Sequence, residues 1–342
     1  MNKIGIYVLN YNGIYWLKQN LNMLVSESAK ANIVVIDNNS TDNSIKYLSD
    51  NYPEIEIRKN NKNYGFSKGY NHVLLKEKKY EHFVLINNDV EVTKNWLEPM
   101  LEMIKNKNIG IVQPKILNKQ QKNKFDYAGA AGGFLDILGL PFCRGRIINH
   151  IEYDKGQYDY NAPITWASGC CFMIKAKLFQ ELNGFDEDLF MHQEEIDLCW
   201  RAHDRSSEVY YCYNSVVYHV GGGSLKYTNP IKSFFNHRNS LLIIIKNMNL
   251  ANLLVTIPMR IIIDYLVIIL NVFESIVGLF KIDWNRTKIK NAKSIIQAHI
   301  SFFKLMPKFI LKRKAIKKNI LTNKFILIEC YLKGHKKFTE LK

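Results

Sequence analysis

Three short segments carry side chains suited to chemistry. Ile33 to Ile36 is apolar and ends in Asp37, after which come Asn38, Asn39, Ser40, Thr41 and Asp42. A carboxylate at a strand end among short polar side chains can hydrogen-bond a base or a ribose, although the same residue types also make good helix N-caps. Phe83 to Ile86 leads into Asn87-Asn88-Asp89, with Glu91 shortly beyond. A carboxylate there can hold Mg2+ or Mn2+, hard cations that take oxygen ligands and bridge phosphates. As a bare spacing, Asp-x-Glu fits a solvated turn equally well. The third segment, Gly184 to Arg201, gathers Glu194, Glu195 and Asp197. If Leu198 and Arg201 continue a helix, these acids form its first turn, where the helix dipole favours negative charge. Alternatively, one of them is a general base that deprotonates an acceptor hydroxyl. Cys170, Cys171 and His192 lie nearby in sequence, yet no zinc-ligand spacing joins them.

The elements that must position these groups can be read from the alternation of apolar runs. Ile4–Leu9 reads as a strand that ends at Asn10-Tyr11-Asn12-Gly13, and Leu17, Leu21 and Leu24 give Ile14–Leu24 one helical face. Ile33–Ile36 is a second strand, and a helix starts at Ser44. Ile55–Arg58 is a third strand, followed by the polar loop 60–65 and a helix from about Ser67 to Leu75; His82–Ile86 is a fourth strand. Strand–helix alternation with short loops predicts a mostly parallel sheet flanked by helices. Such sheets bind ligands at the carboxyl ends of their strands, where Asn10, Asp37 and Asn87–Asp89 fall. Gly129, Gly132, Gly133, Gly139 and Gly145 predict a flexible loop or lid, and a second ordered block runs from Ile164 to His219.

Charge is distributed unevenly over the 342 residues. The chain has 47 Lys and Arg against 31 Asp and Glu, a net +16. Residues 281–342 hold 17 of the cations and three of the acids, so they carry 17 − 3 = +14 and the body is almost neutral. A nucleic-acid binder shows a basic stripe across its fold, so no nucleic-acid partner is expected. Composition excludes disorder, collagen and coiled coil. Six cysteines without framework spacing read as free thiols of a reducing compartment. The N-terminal apolar run is too short for a signal peptide, so a cytoplasmic location is expected. Segment 253–280 is strongly apolar, yet Arg260, Asp264, Asn271 and Glu274 fall on one helical face, at roughly 0°, 40°, 20° and −40°. That pattern fits a helix lying at a membrane interface or packed on the body better than a spanning one. The basic tail beyond it suits anionic headgroups. Residues 1–246 and 247–342 are accordingly read as a globular domain and an amphipathic, basic helical extension.

Several blocks in order resemble the inverting glycosyltransferase family 2, with its GT-A fold, and most nearly its bacterial rhamnosyltransferase-like branch. They are Val8 to Gly13, Val35 to Asp42, Asn63 to Asn71, Leu85 to Asp89, Trp166 to Gly169, Gly184 to Glu187, Glu194 to Arg201, Tyr218 to Gly221, and Arg238-Asn239. The resemblance covers about residues 3–246. It implies a nucleotide pocket of Asn10, Asp37, Asn39, Asn63, Gly65, Asn88 and Asp89. Asp89 stands at the last position of the family's metal-binding DxD, with Asn87 replacing the first acid. His219 matches a histidine that completes metal or diphosphate binding, so Mg2+ or Mn2+ at Asp89 and His219 is the implied cofactor. The acidic block matches the family's Glu-Asp-x-Asp, whose second residue supplies the base; here that is Glu195, with Glu194 the other candidate. Trp166, Asp197 and the 129–145 loop would face the acceptor.

The implied reaction is inverting transfer of a sugar from a dTDP- or UDP-linked donor, rhamnose first among candidates, to a glycan or lipid-linked glycan in surface polysaccharide synthesis. The enzyme would sit peripherally on the inner face of the cell membrane. A nucleotidyltransferase of related fold would carry a Gly-rich, Arg-containing loop after the first strand, which this chain lacks. A binding or scaffold protein that has lost its base is the alternative that Asn87 and Glu195 leave open. A nucleic-acid binder drawn by the tail would show salt-sensitive affinity independent of residues 1–246.

Overall fold

A computed structural model describes residues 3–221, 229–280, 286–314 and 318–341. The strands β1 (Ile4–Asn10), β2 (Asn32–Asp37), β3 (Glu56–Lys59) and β4 (His82–Asn87) run parallel in the order β3-β2-β1-β4. Their crossovers are α1 (Ile14–Ser26), α2 (Ser44–Asn51) and α3 (Gly65–Leu74). Leu17, Leu21, Leu24 and Leu48 of α1 and α2 fill the core on one face, while Tyr70, Val73 and Leu74 of α3 fill the other. The registers Asn10 with Asp37 and Leu9 with Asn87 bring the carboxyl ends level. The order reverses between β1 and β4, and that switch point is where such sheets open a crevice.

The sheet continues as a mixed one. After β5 (Val90–Val92) and α4 (Leu97–Ile104) comes β6 (Ile109–Asn118), and a small antiparallel sheet follows from β7 (Gly133–Leu135), β8 (Pro141–Cys143), β9 (Arg146–Ile147) and β10 (His150–Ile151). The edge strand β11 (Ala162–Pro163) precedes β12 (Cys171–Lys175), which runs antiparallel between β4 and β6. Helices α5 (Ala176–Glu181) and α6 (Glu194–Asp204) lead to β13 (Glu208–His219), which is parallel to β6 and antiparallel to β5. Pairing of Val90 with His219 sets Asp89 beside that histidine.

Glycines 129–145 are not the flexible lid that their density predicts. They make the tight approaches of the small sheet: a Cβ on Gly133 would lie 2.1 Å from the Trp166 ring, and one on Gly132 2.3 Å from Ile164. At these positions glycine serves packing rather than motion.

Three helices close the chain. α7 (Pro230–Asn247) buries Leu241, Leu242, Ile243 and Ile244 in the main core. α8 (Leu250–Phe280) does the reverse. Its polar residues Thr256, Arg260, Asp264 and Ser275 are buried, while Leu254 is 81% exposed, Leu270 58% and Phe273 62%. Arg260 donates to Leu138 O at 3.1 Å and Ser240 Oγ at 2.8 Å, and Asp264 pairs with His237 at 3.0 Å and His299 at 2.8 Å. Of the stripe expected from spacing, Arg260 and Asp264 turn inward, whereas Asn271 is half-buried and Glu274 is exposed and pairs with Lys288. α9 (Arg286–Leu311) packs on both α7 and α8. The segment after it returns to the small sheet: Thr322 N–H donates to Leu135 O, Ile326 N–H to Asp136, and Phe338 stacks on Phe142. The basic C-terminal part is therefore built into the body rather than hanging from it.

Candidate active site

Asn10, at the end of β1, joins the three polar clusters. Its Nδ2 donates to Asp37 Oδ1 at 3.3 Å and Ser40 Oγ at 3.2 Å, and its Oδ1 accepts from Asn88 Nδ2 at 2.9 Å. Gly13 is required here, because a Cβ would lie 2.1 Å from the Asn88 amide. Asp37 Oδ2 also accepts from Ser40 N–H at 2.9 Å. Asn38 pins the next loop: it donates to Gly65 O at 2.8 Å and Asn63 Oδ1 at 3.2 Å and accepts from Asn60 at 2.9 Å. Asn10, Asp37, Asn63, Gly65, Asn88 and Asp89 thus line one end of the sheet. Asn39 makes none of these bonds; it is exposed at φ 66°, a left-handed turn residue, while the buried Asn38 spends its amide on Asn60, Asn63 and Gly65. Asp42 has a different task, capping α1 through Ile14 N–H at 3.0 Å.

Asp89 and His219 meet at 3.4 Å, and His219 lies 3.3 Å from a second buried carboxylate, Asp126, absent from the sequence-based set. Burial alone would lower the histidine, but Asp126 and Asp89 outweigh it and hold His219 well above its ordinary value. One oxygen of Asp89 and one of Asp126 are buried without a hydrogen-bond partner. Such orphaned carboxylate oxygens fit a hard divalent cation. Among the described residues no group of three or more His, Cys, Asp or Glu side chains is placed to hold a metal ion by itself. An ion here would share its coordination with phosphate oxygens and water, as Mg2+ commonly does. Asp126 sits in an irregular stretch after β6, with no periodicity to mark it.

The acidic block sits at the start of α6, entered by an unusual backbone. Phe190, His192 and Gln193 have φ of 66°, 67° and 69°. Such conformations persist only where surroundings impose them. Arg238 donates to Leu189 O at 3.0 Å, and Asn239 Nδ2 donates to the carbonyls of Leu189, Met191 and His192 at 3.0, 2.8 and 2.7 Å. From the other side, Phe190 O accepts from Phe66 and Ser67 N–H at 2.9 and 3.2 Å, and its ring leaves room only for glycine at position 65. The loop is clamped between α3 and α7.

Glu194 is buried with one oxygen unpartnered, and burial followed by the neighbouring Glu195 pushes its carboxyl well up. Glu195 is partly exposed and faces Gly169, where a Cβ would stand 3.7 Å from its carboxylate. Burial raises it to about 7. The adjacent Cys170 O accepts from Asn87 N–H at 2.9 Å, so Glu195 and the Asn87–Asp89 turn flank one short stretch of chain. Two further expectations are corrected. Asp197 does not face an acceptor: it is fully buried, bonded to Arg201 at 2.8 Å, Lys246 at 2.9 Å and Asn247 at 2.8 Å, and these cations hold it far below the usual carboxylate range despite burial. Trp166 is likewise core, its indole N–H donating to Phe134 O at 2.9 Å.

The model of the family described as Glycosyl transferase family 2 matches residues 6–183. The chain belongs to that family. A low-salt glycan biosynthesis hexosyltransferase of Haloferax volcanii is 25% identical over 217 residues, 62% of this chain and 65% of its own length. The rhamnosyltransferase WbbL of Escherichia coli K12 is 22% identical over 58% of this chain and 76% of its own. An N-acetylglucosaminyl-diphospho-decaprenol L-rhamnosyltransferase of Mycobacterium tuberculosis is 23% identical over 48% of this chain and 59% of its own. The chain thus spans under two thirds of the first and third of these relatives. Among solved structures, the mannosyltransferase PcManGT of Pyrobaculum calidifontis, with GDP-Man and Mn2+, matches with TM-score 0.53 and 12% identity over 88% of this chain and 87% of its own. GalNAc-T7 with UDP, GalNAc and Mn2+ gives TM-score 0.56 and 15% identity over 73% and 49%. These likenesses establish the GT-A-type α/β fold, with the helices α7–α9 added at its C-terminal side.

Proposed function

We propose that the protein is an inverting transferase that moves a sugar from a dTDP- or UDP-linked donor to a glycan or lipid-linked glycan acceptor in surface polysaccharide synthesis. Rhamnose is the first candidate sugar, supported by the names of two relatives. The observation that carries the reading is Glu195, a carboxyl raised to about 7 across a short stretch of chain from the Asp89 turn. A base near neutrality takes a proton far better than an ordinary carboxylate.

The nucleoside occupies the Asn10–Asp37–Asn63 end, with its diphosphate toward Asp89. Asp89, with His219 beside it, would hold Mg2+ or Mn2+ together with the donor's own oxygens, and the ion would neutralise charge on a leaving diphosphate. Glu195 accepts the acceptor's hydroxyl proton as that oxygen bonds to the anomeric carbon from the face opposite the phosphate. The bond to the phosphate oxygen breaks with its electron pair, and the configuration inverts. Holding the two substrates in line supplies much of the rate. Glu194, kept protonated, leaves the negative charge to Glu195. The outward apolar face of α8 supports a peripheral position on the cytoplasmic face of a membrane, against anionic headgroups.

The test is turnover of a panel of nucleotide sugars with and without Mn2+ or Mg2+, for wild type and Asp89→Ala. Metal-dependent turnover of one donor, lost in Asp89→Ala, is expected. Binding of nucleoside diphosphate with no donor turned over, even with a lipid-linked acceptor supplied, would leave a binding protein instead.

A further inference from the structure

The loop that carries Glu194 and Glu195 is held from a third side, by the C-terminal extension. Lys312, just past α9, reaches Asp186 at 2.5 Å and Asp188 at 2.6 Å, and Lys308 reaches Asp188 at 2.7 Å. Lys246 of α7 completes the set, bonding Asp186 at 2.7 Å and Asp197 at 2.9 Å. Asp186 opens the loop and Asp197 lies in the first turn of α6 beyond it, so both ends of the segment bearing the base are tied to the same lysine. α9 ties the opening end a second time. Arg313 anchors this end of α9 further, donating to Met248 O at 2.6 Å and to Ile245 O.

The opposite side of α9 is apolar and unpaired. Ile289, Ile296, Ile300, Phe303 and Ile310 are exposed at 42–52%, at spacings of seven, four, three and seven that keep them on one helical face. At 100° per residue Lys312 falls roughly 160° from the middle of that face. Beside it α8 exposes Leu254, Leu266, Leu270 and Phe273, and over Leu250–Ser275 it is long and apolar enough, by length and composition only, to cross a membrane. Its buried Arg260 and Asp264 are bonded to the body, which favours lying along a surface over spanning. Soluble proteins rarely expose so continuous an apolar face, and such faces mark membrane or partner contacts. The cations around it favour lipid: Lys290, Lys293, Lys304 and Lys314 are exposed, in a region of net +14.

We propose that α8 and α9 couple membrane contact to catalysis: seated on an anionic bilayer by their outward apolar faces, they press Lys308 and Lys312 onto Asp186 and Asp188 and so fix the loop that carries Glu195. This rests on the transferase reading in that it gives Glu195 the role of base. In water the exposed face opposes this seating of α9, and lipid removes that opposition, which shifts the population toward the clamped loop. Lys308 and Lys312 are positioning residues; neither touches a substrate.

The test uses the full chain with vesicles of phosphatidylcholine alone or mixed with phosphatidylglycerol. Three readouts are co-sedimentation, hydrogen exchange of residues 184–193, and donor turnover. With the anionic vesicles, wild type should sediment, slow its exchange in 184–193 about tenfold, and gain several-fold in kcat at unchanged donor KM. The double variant Lys308→Ala/Lys312→Ala should sediment like wild type and show neither response; Asp188→Asn, which breaks the same pairs from the loop side, should match it. Ile300→Glu/Phe303→Glu should keep the lipid-free rate and lose sedimentation. Sedimentation without slower exchange at 184–193, or a lysine variant that responds as wild type does, overturns the coupling. Failure of wild type to sediment overturns the docking. Slower exchange with no donor turned over counts against the transferase reading alone.

Discussion

Within twelve residues the chain carries two sets of acids with opposite fates. Asp186, Asp188 and Asp197 each meet at least one ammonium or guanidinium group. Glu194 and Glu195 meet none among the described residues, and burial pushes both upward where the cations hold Asp188 and Asp197 down. All five are acids near one loop, so the residue type does not decide the role; the partner withheld or supplied decides it. A paired carboxylate is a strut, and an unpaired buried one keeps its appetite for a proton.

Identical acid-to-amide changes on the two sides should therefore do different things. Glu195→Gln should lower kcat about 10²–10⁴-fold while nucleotide binding and the unfolding midpoint hold, as steady-state kinetics and urea titration would show. An active Glu195→Gln moves the base to Glu194. Asp197→Asn, two residues on, should cost about 3 kcal/mol of stability in the same titration, since it leaves Lys246 and Arg201 short of a buried partner. Glu194→Gln should stabilise, on the order of 1 kcal/mol at pH 8 and nothing at pH 4. The sign follows from its raised carboxyl: between the unfolded and folded values the native state binds the extra proton, so wild-type stability falls as pH rises through that window, and glutamine has no proton to lose. Last, kcat should fall below a pH of about 7 as Glu195 gains its proton, and Glu194→Gln should leave that limb in place.

The gathering of polar side chains at one end of the sheet was legible in the sequence because strands with polar ends declare themselves. Asn10, Asp37, Asn63 and Asn88 all lie within a residue or a short loop of an apolar run, and the parallel register does the rest. Asn38, which pins the Asn63–Gly65 loop, was missed because a left-handed turn at Asn39 breaks the alternation of faces at that point. Asp126 left no trace, since it is brought to His219 by a register between distant strands and an irregular loop. Trp166 and Asp197 misled for a common reason: an aromatic ring or an acid beside a site motif looks functional until its own hydrogen bonds are counted. The inverted orientation of α8 was half legible. Its polar stripe could be computed from spacing, but whether the stripe looks in or out depends on Ser240, Leu138, His237 and His299, which no local pattern foretells.

If the proposed membrane seating holds and the acceptor is lipid-linked, that inversion would change the geometry of the search for substrate. An enzyme resting on a bilayer and an acceptor tethered in the same bilayer meet by sliding in a plane, not by wandering through a volume. Both would be confined to a thin layer, so their effective concentration would rise without any new contact between them. Under that confinement the acceptor subsite would have little need to grip. It would have only to recognise the sugar end that protrudes, which would leave fast release of the product compatible with efficient capture.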